Sequence, residues 1–355
     1  MSARLSTEEN GWLVARAHCQ AWRTDAPPFD LTTEELAAIL PNLIKSGSAG
    51  IIWHRVKPFR EKYGALAHAL EAATKAQIAH NQRVEEAAIE CVTRLRAYGI
   101  EPVLVKGLAL AKLYPEGIVR PGGDIDLVVR KEQFAAAHAI LHDSTKPPIS
   151  VAIDLKHPGI WEEVPNADFW DRLESLAFSN QSVAVLSNFD NLQMVCNHFL
   201  KHGGMRPVWL CDYMLVVTSA RLTSLVASLP LLKRSWHLGL VRVASSLVGP
   251  TSAGPSHQPD DLDWIVHSIF DQWLTPKDVI RGPAFTRAVR SPLNIPVIAR
   301  EAWPTPIAAT FYQRVPITTR RPSNRQRREY LRLFWHHLRH ELLGQLRSFA
   351  QSWRN

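Results

Sequence analysis

The sequence predicts an α+β protein in which helical regions flank a small mixed-sheet core. Strand-like and helical patterns alternate over about 55 residues from Gly99, a spacing typical of a compact α/β unit. A long stretch without proline, at residues 60 to about 98, precedes this unit and keeps helical spacing of its apolar residues. The composition is that of a globular protein, with 46% hydrophobic and 21% charged residues.

Each region of the chain is predicted from its local pattern. Thr32, Thr33, Glu34 and Glu35 have the form of a capping box and predict a helix that begins at Leu36 and ends near Pro41 or a little beyond. Within the core we expect a strand at 101–106, a helix at 108–114, a turn at 120–123, a strand at 125–129, a helix at 131–141 and a strand at 150–155. Beyond Trp161 the patterns predict a return to helices.

These patterns divide the chain into four regions. We expect an N-terminal helical region at 1–98, the α/β core at 99–180, a helical region at 181–319 that completes a cleft, and a basic amphipathic helix at 320–355. That last segment holds nine arginines and two glutamates, a net charge of +7 out of the +8 of the whole chain.

Two carboxylates stand one residue apart at the head of an apolar run, in the sequence GGDIDLVV. Because side chains alternate along a strand, Asp124 and Asp126 should point to one face, roughly 6.5 Å apart. Like charges this close repel, and a hard divalent cation with oxygen ligands relieves the repulsion. Asp154, in the next predicted strand, can reach the same face if the strands are neighbours. Three such carboxylates can hold two divalent ions about 3.5 to 4 Å apart, which suits in-line displacement at phosphorus.

Positive groups that suit a phosphate occur just before these carboxylates. Lys106 and Gly107 stand at a predicted strand-to-helix turn, where backbone N–H groups and a lysine can receive phosphate oxygens. Arg120 adds a guanidinium close to the carboxylates, and the sequence leaves open whether it contacts phosphate or only holds the loop.

At these residues the chain resembles the nucleotidyltransferases of the polymerase-β superfamily, and more closely its branch of uncharacterised nucleotidyltransferase family proteins. The resemblance covers roughly residues 37–217 and is carried by several short motifs. They are Val105-Lys106-Gly107, Leu113-Tyr114-Pro115, Arg120, Gly123-Asp124-Ile125-Asp126-Leu127, Ile153-Asp154-Leu155, the stretch from His198 through His202, and Trp209-Leu210-Cys211-Asp212. The third strand of that family tends to read Asp-Leu-His-Trp, whereas here it reads Asp154-Leu155-Lys156-His157.

The resemblance implies a polymerase-β-like core and a metal-dependent transferase. Asp124, Asp126 and Asp154 would be the catalytic residues and would bind two Mg²⁺ ions, with Mn²⁺ as the alternative metal. Lys106, Gly107, Arg120 and Gly123 would surround the nucleoside triphosphate, which would transfer its nucleoside monophosphate to an acceptor hydroxyl or phosphate and release pyrophosphate.

Two other classes of function fit the same carboxylates. They are a kinase of a small molecule or peptide and a non-catalytic nucleotide-binding module. The acceptor is not readable, and a sugar phosphate, an antibiotic, a peptide, a protein side chain and RNA all stay open, as does the oligomeric state. Nucleic acid is not the favoured partner, because few basic residues surround the carboxylates.

Several remaining features have structural explanations. His198 and His202 are spaced for zinc on a helix, but the glutamate of the zinc motif is missing, so we expect packing against Trp209, with Lys201 or His202 beside a triphosphate as the alternative. The basic helix at 320–355 is expected to be a packed terminal helix, with contact to an anionic membrane or an acidic partner as the alternative.

The cysteines and the hydropathy point to the cytoplasm. Cys19, Cys91, Cys196 and Cys211 are scattered without a C-x-x-C pair, as expected of buried thiols in a reducing cytoplasm. No apolar run of about 18 residues occurs, so we expect no membrane-spanning helix.

Overall fold

Helices and a five-stranded sheet form the part of the chain that can be described. The structure is a computed structural model that describes residues 5–158, 167–178, 181–202, 204–219, 231–249, 266, 269–270 and 273–274, which fall in one unit of residues 1–274. Its elements are α1 (Thr7–Ala17), α2 (Thr33–Lys45), α3 (Ala49–Val56), α4 (Arg60–Arg96), β1 (Val103–Val105), α5 (Lys106–Ala111), β2 (Ile125–Val128), α6 (Phe134–Leu141), β3 (Ile153–Lys156), β4 (Glu174–Phe178), β5 (Gln181–Val185), α7 (Asn188–His202), α8 (Val208–Ser219) and α9 (Leu231–Val248). Short 3₁₀ turns lie at Lys57–Phe59, Lys131–Gln133 and Ala167–Arg172. The predicted basic helix at 320–355 lies outside the described residues.

The sheet is mixed, which confirms the predicted α+β class. Its strand order is β3, β2, β1, β5, β4. The two pairs β2–β3 and β1–β5 are parallel, whereas β1–β2 and β4–β5 are antiparallel. The first three strands in sequence are therefore neighbours at one side of the sheet, as the position of the three carboxylates required.

The two faces of the sheet belong to two hydrophobic clusters. Leu104, Ile125 and Leu127 join a cluster with the C-terminal half of α4 and with α6. Val103, Val105 and Val128 point to the other face and join the larger cluster, which includes residues of α1, α2, α3, α7, α8 and α9. Because strand side chains alternate, Asp126 shares the face of Val128, toward the larger cluster.

The long predicted helix at 60 to about 98 is confirmed as α4, with one interruption. Gly64 has φ 48° and ψ −119°, so the helix is kinked there at a backbone conformation that side chains with a Cβ rarely adopt. The capping box at Thr32 is also confirmed, since its side chain accepts from Glu35 N–H while the Glu35 carboxylate accepts from Thr32 N–H.

Two predictions about secondary structure were wrong. The helix that the capping box opens begins at Thr33 and not at Leu36, although it does end a little beyond Pro41, at Lys45, with Pro41 inside it. Proline removes one intrahelical hydrogen bond, but the helix face beyond it buries Leu43 completely, which favours continuation. The return to helices beyond Trp161 is contradicted by β4 and β5, and β5 begins after the predicted core boundary at residue 180.

The described residues also bear on the predictions about the cysteines and about membrane-spanning helices. All four thiols are free; Cys91, Cys196 and Cys211 are buried, and Cys19 is half-buried. None of the helices in the described ranges combines the length and the apolar character that crossing a bilayer needs.

His18, at the C-terminal end of α1, is buried in the larger cluster and should make stability depend on pH. Its Nδ1 lies 2.8 Å from the Val14 carbonyl oxygen, and Nε2 has no hydrogen-bond partner. Burial, opposed by the hydrogen bond to the Val14 carbonyl and assisted by the Arg55 charge, lowers the pKa of His18 to about 4. The folded chain therefore holds His18 neutral, whereas the unfolded chain protonates it near pH 6.5.

We expect the free energy of unfolding to fall as pH drops from 6.5 toward 4, because the unfolded chain binds the extra proton. The His18 contribution amounts to roughly 3 kcal/mol by about pH 4. Urea unfolding followed by circular dichroism across this pH range measures it, and His18→Asn should flatten the slope. His68→Asn, at an exposed histidine of α4, is the control and should leave the slope unchanged. Equal slopes in His18→Asn and the wild type would contradict the assignment.

Candidate active site

The three predicted carboxylates meet on one face of the sheet. In the parallel pair of β2 and β3, Asp126 lies directly opposite Asp154, and Asp124 is two residues before Asp126 at the entry to β2. One ligand atom from each of Asp124, Asp126 and Asp154 lies within 4.8 Å of the other two. Asp126 is buried, Asp154 is half-buried and Asp124 is exposed, so the cluster opens to solvent at the Asp124 side. The geometric expectation that Asp154 reaches the other two is confirmed.

The chemistry of this donor set fits a hard divalent cation. Carboxylate oxygens are the ligands that Mg²⁺ and Mn²⁺ prefer, and neither sulfur nor imidazole belongs to the cluster. Burial raises the pKa of Asp126 to about 7, and the neighbouring Asp124 raises it too, whereas Lys106 lowers it. Because ionising the buried Asp126 carboxylate costs free energy, a bound cation would stabilise its charged form most.

Two lysine side chains neutralise the carboxylates. The Lys106 Nζ donates to Asp126 Oδ1 at 2.7 Å and lies 3.8 Å from Asp154 Oδ2. The Lys156 Nζ lies 2.6 Å from the same Asp154 oxygen. Lys156 stands where the family that the sequence resembles tends to have histidine, and its role was not anticipated from the sequence.

Lys106 occupies an unusual backbone conformation between β1 and α5. Its φ is +56°, in the left-handed region that residues with a Cβ seldom adopt. Such strain is retained mainly at functional positions. The strained conformation holds a lysine next to Asp126 and Asp154, and a phosphate bound at the carboxylates would come within reach of the same ammonium group. Its predicted contact with phosphate stays a prediction.

The loop before the carboxylates is held by α4. The Asn81 side chain spans the loop: its Nδ2 donates to the Arg120 carbonyl and its Oδ1 accepts from the Gly122 N–H, both at 2.8 Å. A Cβ at Gly122 would meet Asn81 Oδ1 at 2.8 Å, so glycine is needed for this close approach. A Cβ at Gly123 would meet no atom within 4 Å, which leaves the backbone there open to an incoming group.

Replacing Asn81 by Ala should weaken metal binding at the carboxylates. The change leaves the Arg120 carbonyl and the Gly122 N–H without their partner, so the loop that carries Asp124 loses its attachment to α4. Groups that orient metal ligands typically contribute about 10- to 100-fold to affinity, and we expect a loss of that size. Titration with Mn²⁺, followed by the thermal midpoint, measures it.

Gln77 provides a matched control one helical turn earlier on α4. Its side chain makes the same two kinds of hydrogen bond, from the Gly50 N–H and to the Gly47 carbonyl, each at 3.1 Å. Gln77→Ala therefore removes an equivalent pair of bonds that Gln77 makes to the connection between α2 and α3 and the first turn of α3, and not to the carboxylate loop itself. If Gln77→Ala weakens Mn²⁺ binding as much as Asn81→Ala does, the side-chain hydrogen bonds of α4 stabilise the fold and have no specific effect on the metal ligands.

Arg120 forms a buried ion pair instead of facing the carboxylates. Its Nε and Nη2 donate to the two Asp212 oxygens at 2.8 Å, and Nη1 donates to the carbonyls of Gly107 and Pro121. Burial opposes the charge on Arg120, but Asp212 more than offsets it, so the pKa of Arg120 is raised. The side chain holds the loop, which was the alternative that the sequence had left open. Its predicted contact with phosphate stays a prediction.

Three motifs meet in this ion pair, two of them close together in sequence and the third 92 residues after Arg120. Besides Arg120, the Asp212 carboxylate accepts a hydrogen bond from Tyr114 Oη at 2.9 Å. Tyr114 follows α5, Arg120 precedes β2, and Asp212 is in α8. Each of these residues belongs to a quoted motif, but nothing in their spacing indicated that they touch.

The histidines named in the sequence have structural neighbours. The His198 ring packs edge to face on Trp209 with centroids 4.6 Å apart, which confirms the expected packing. His157 packs edge to face on Phe134 at 4.9 Å, and burial followed by the Lys131 charge lowers its pKa. The side chains of Lys201 and His202 lie outside the described residues.

One comparison with known proteins, the match to a family model, agrees with the motif resemblance. Residues 37–145 match the family model described as uncharacterised nucleotidyltransferase, a stretch that includes Lys106, Asp124 and Asp126. Among solved structures, the chain is similar to the crystal structure of an antigenic nucleotidyltransferase-like protein from Paracoccidioides brasiliensis. The two are 14% identical, with a TM-score of 0.32, over 48% of this chain and 94% of that chain. No curated protein matches the chain.

Proposed function

We propose that this protein is a Mg²⁺-dependent nucleotidyltransferase that moves a nucleoside monophosphate from a nucleoside triphosphate to an acceptor hydroxyl or phosphate, releasing pyrophosphate. The observation that carries the proposal is the convergence of Asp124, Asp126 and Asp154, with ligand atoms within 4.8 Å of one another. The match of residues 37–145 to a nucleotidyltransferase family model supports the reaction class.

The carboxylates have distinct places in this proposal. Asp124 and Asp126 lie two residues apart on β2 and its entry, so they can bind a pair of divalent cations between them, and Asp154 on β3 completes the set. When bound, two such cations lower the pKa of the acceptor hydroxyl and stabilise the attacking and leaving oxygens. The exposed Asp124 marks the side from which substrate enters.

Lys106 supplies the positive charge that a triphosphate needs. Its ammonium group contacts Asp126 and lies close to Asp154, so it stands beside the position of the reacting phosphoryl group. There it would stabilise the negative charge that develops on departing pyrophosphate, an electrostatic contribution that does not require a covalent intermediate. Gly123, with no atom near its Cβ position, allows the substrate to approach the backbone.

Product analysis tests this function. The purified full chain is incubated with Mg²⁺, an extract of its own cells and each α-labelled nucleoside triphosphate in turn. We expect pyrophosphate release and transfer of label to an acceptor, both lost in Asp124→Ala and retained in Asp171→Ala, which removes an exposed carboxylate from the 3₁₀ turn at Ala167–Arg172. Release of nucleoside diphosphate would identify a kinase, and binding without any product would identify a non-catalytic module.

A further inference from the structure

Arg206 lies in the connection between α7 and α8, next to the loop that carries the carboxylates. The connection is fixed at its C-terminal end, where the Trp209 N–H donates to the Arg206 carbonyl at 3.1 Å. The first helical turns of α8 also carry Asp212, whose ion pair with Arg120 attaches this helix end to the loop of Asp124. The chain therefore places Arg206 on the same side of the sheet as the carboxylates.

The guanidinium of Arg206 is held by an aromatic ring, and one of its donors has no polar partner. It lies over the Trp209 ring at 6.0 Å from the centroid, and His198 packs on the same ring. Among the described residues Arg206 makes no ion pair, and its buried Nε has no hydrogen-bond partner. Leaving a charged donor out of water without a partner costs stability, and the fold gains nothing in return.

Arg120 shows what a purely structural arginine looks like in this fold. Its three nitrogens donate to a carboxylate and to two carbonyls, so its charge and its donors are satisfied within the protein. Arg206 differs because the charged groups that shift its pKa are not in contact with it. Burial and Arg120 lower the pKa of Arg206, whereas Asp124 raises it. The negative charge that favours the charged form of Arg206 is thus a carboxylate of the active site.

We propose that Arg206 binds a phosphate group of the nucleoside triphosphate held at Asp124, Asp126 and Asp154. An arginine stacked on an aromatic ring keeps its planar set of donors oriented, and this set matches the oxygens of a phosphate. The proposal rests on the proposed function, since it names a contact of that same substrate.

The test separates binding from stability. The full chain is titrated with α,β-methylene-ATP and with inorganic tripolyphosphate, each with Mg²⁺, by isothermal calorimetry. The α,β-methylene bridge prevents nucleotidyl transfer, so only binding is measured. We expect Arg206→Met to weaken the affinity for both probes by about 10- to 100-fold, the loss expected for a charge-assisted contact, and Arg206→Lys to weaken it less.

Thermal unfolding without ligand provides the second measurement. Because the Arg206 Nε has no partner that its removal would leave unpaired, Arg206→Met should have a thermal midpoint equal to or above that of the wild type. An arginine with a structural role would give the opposite result. Arg23→Met removes an exposed arginine that pairs only with Asp25, and this matched control should alter neither measurement.

The outcomes are distinguishable. If Arg206→Met binds both probes like the wild type while the wild type still transfers label, the assignment of Arg206 is wrong and the proposed function stands. A lowered midpoint with unchanged affinity likewise assigns Arg206 to the fold. If the wild type binds neither probe, both the Arg206 contact and the proposed function fail.

Discussion

Replacing Asp126 by Asn is expected to lower the proposed nucleotidyl transfer on the order of 10³-fold and to abolish the rise in thermal midpoint that we expect from Mg²⁺. Asp126 is the most buried of the three carboxylates, with 6% of its side chain exposed, and it lies opposite Asp154 across the strand pair. Asparagine keeps the size and one oxygen but removes the charge, so the stabilisation of a bound cation is lost.

Thermal unfolding with and without excess metal and initial rates of label transfer measure the two effects. Without metal, the Asp126→Asn variant should remain folded, because the new amide can still accept the hydrogen bond of Lys106. The midpoint of this variant should not respond to Mg²⁺ or Mn²⁺. The comparison therefore separates loss of metal binding from loss of fold.

Asp171→Asn is the matched control for Asp126→Asn. It makes the same chemical change at an exposed residue of the 3₁₀ turn at Ala167–Arg172, outside the carboxylate cluster. It should keep both the metal-induced shift and the rate. A normal metal response in Asp126→Asn would show that Asp126 is not a ligand, and the proposed chemistry would lose its central residue.

The carboxylate cluster was predictable because it depends on local rules. Alternation along one strand puts Asp124 and Asp126 on one face, and the crossover through α6 to the next, parallel strand makes Asp154 a neighbour. Both rules act within a short stretch of chain. The burial pattern of β2 shows the same alternation. Ile125 and Leu127 are buried on one face of the sheet, and Asp126 shares the other face with Val128.

The strands β4 and β5 could not be predicted in the same way. Their sequences, ESLAF and QSVAV, contain glutamate, glutamine, serine and alanine, which are weak strand formers. β5 is a strand because it pairs with a partner that is far away in sequence, since Val103 of β1 lies opposite Ala184 of β5, and β4 in turn pairs with β5. Strand preference of this kind comes from tertiary context, which a local pattern does not contain.

Arg120 shows the same limit within the site. Its position beside two carboxylates suggested a ligand contact, whereas its partner Asp212 is 92 residues further along the chain. A positive residue near a functional motif can serve the substrate or hold the loop, and only the position of the distant carboxylate decides. Asn81 and Lys156 were missed for the same reason, because their roles follow from contacts between separate elements.

The ion pair of Arg120 and Asp212 gives the second large prediction, on stability. Both side chains are buried, with 7% and 3% exposed, and are joined by two hydrogen bonds at 2.8 Å. Removing one partner leaves the other charge buried and unpaired. We therefore expect Asp212→Ala to lower the free energy of unfolding by about 3 to 5 kcal/mol. Tyr114 would lose its acceptor in the same variant, which adds to the cost.

Urea unfolding followed by tryptophan fluorescence measures this loss. Asp25→Ala is the comparison, because it removes the carboxylate of an ion pair with Arg23 in which both side chains are exposed, at 69% and 43%. Its effect should be clearly smaller, since solvent reaches the arginine that is left behind. Equal losses of unfolding free energy in the two variants would mean that burial does not determine how much the Arg120 pair contributes to stability.

Combining Asp212→Leu with Arg120→Met tests what the pair does beyond stability. Replacing both charges by apolar side chains removes the unpaired buried charge, so most of the lost stability should return. Transfer should not return, because Arg120 also donates to the carbonyls of Gly107 and Pro121 and thereby fixes the loop before Asp124. A double variant that is stable and fully active would show that the loop holds its geometry without Arg120. A stable variant with impaired transfer would instead establish Arg120 as the residue that positions the carboxylate loop.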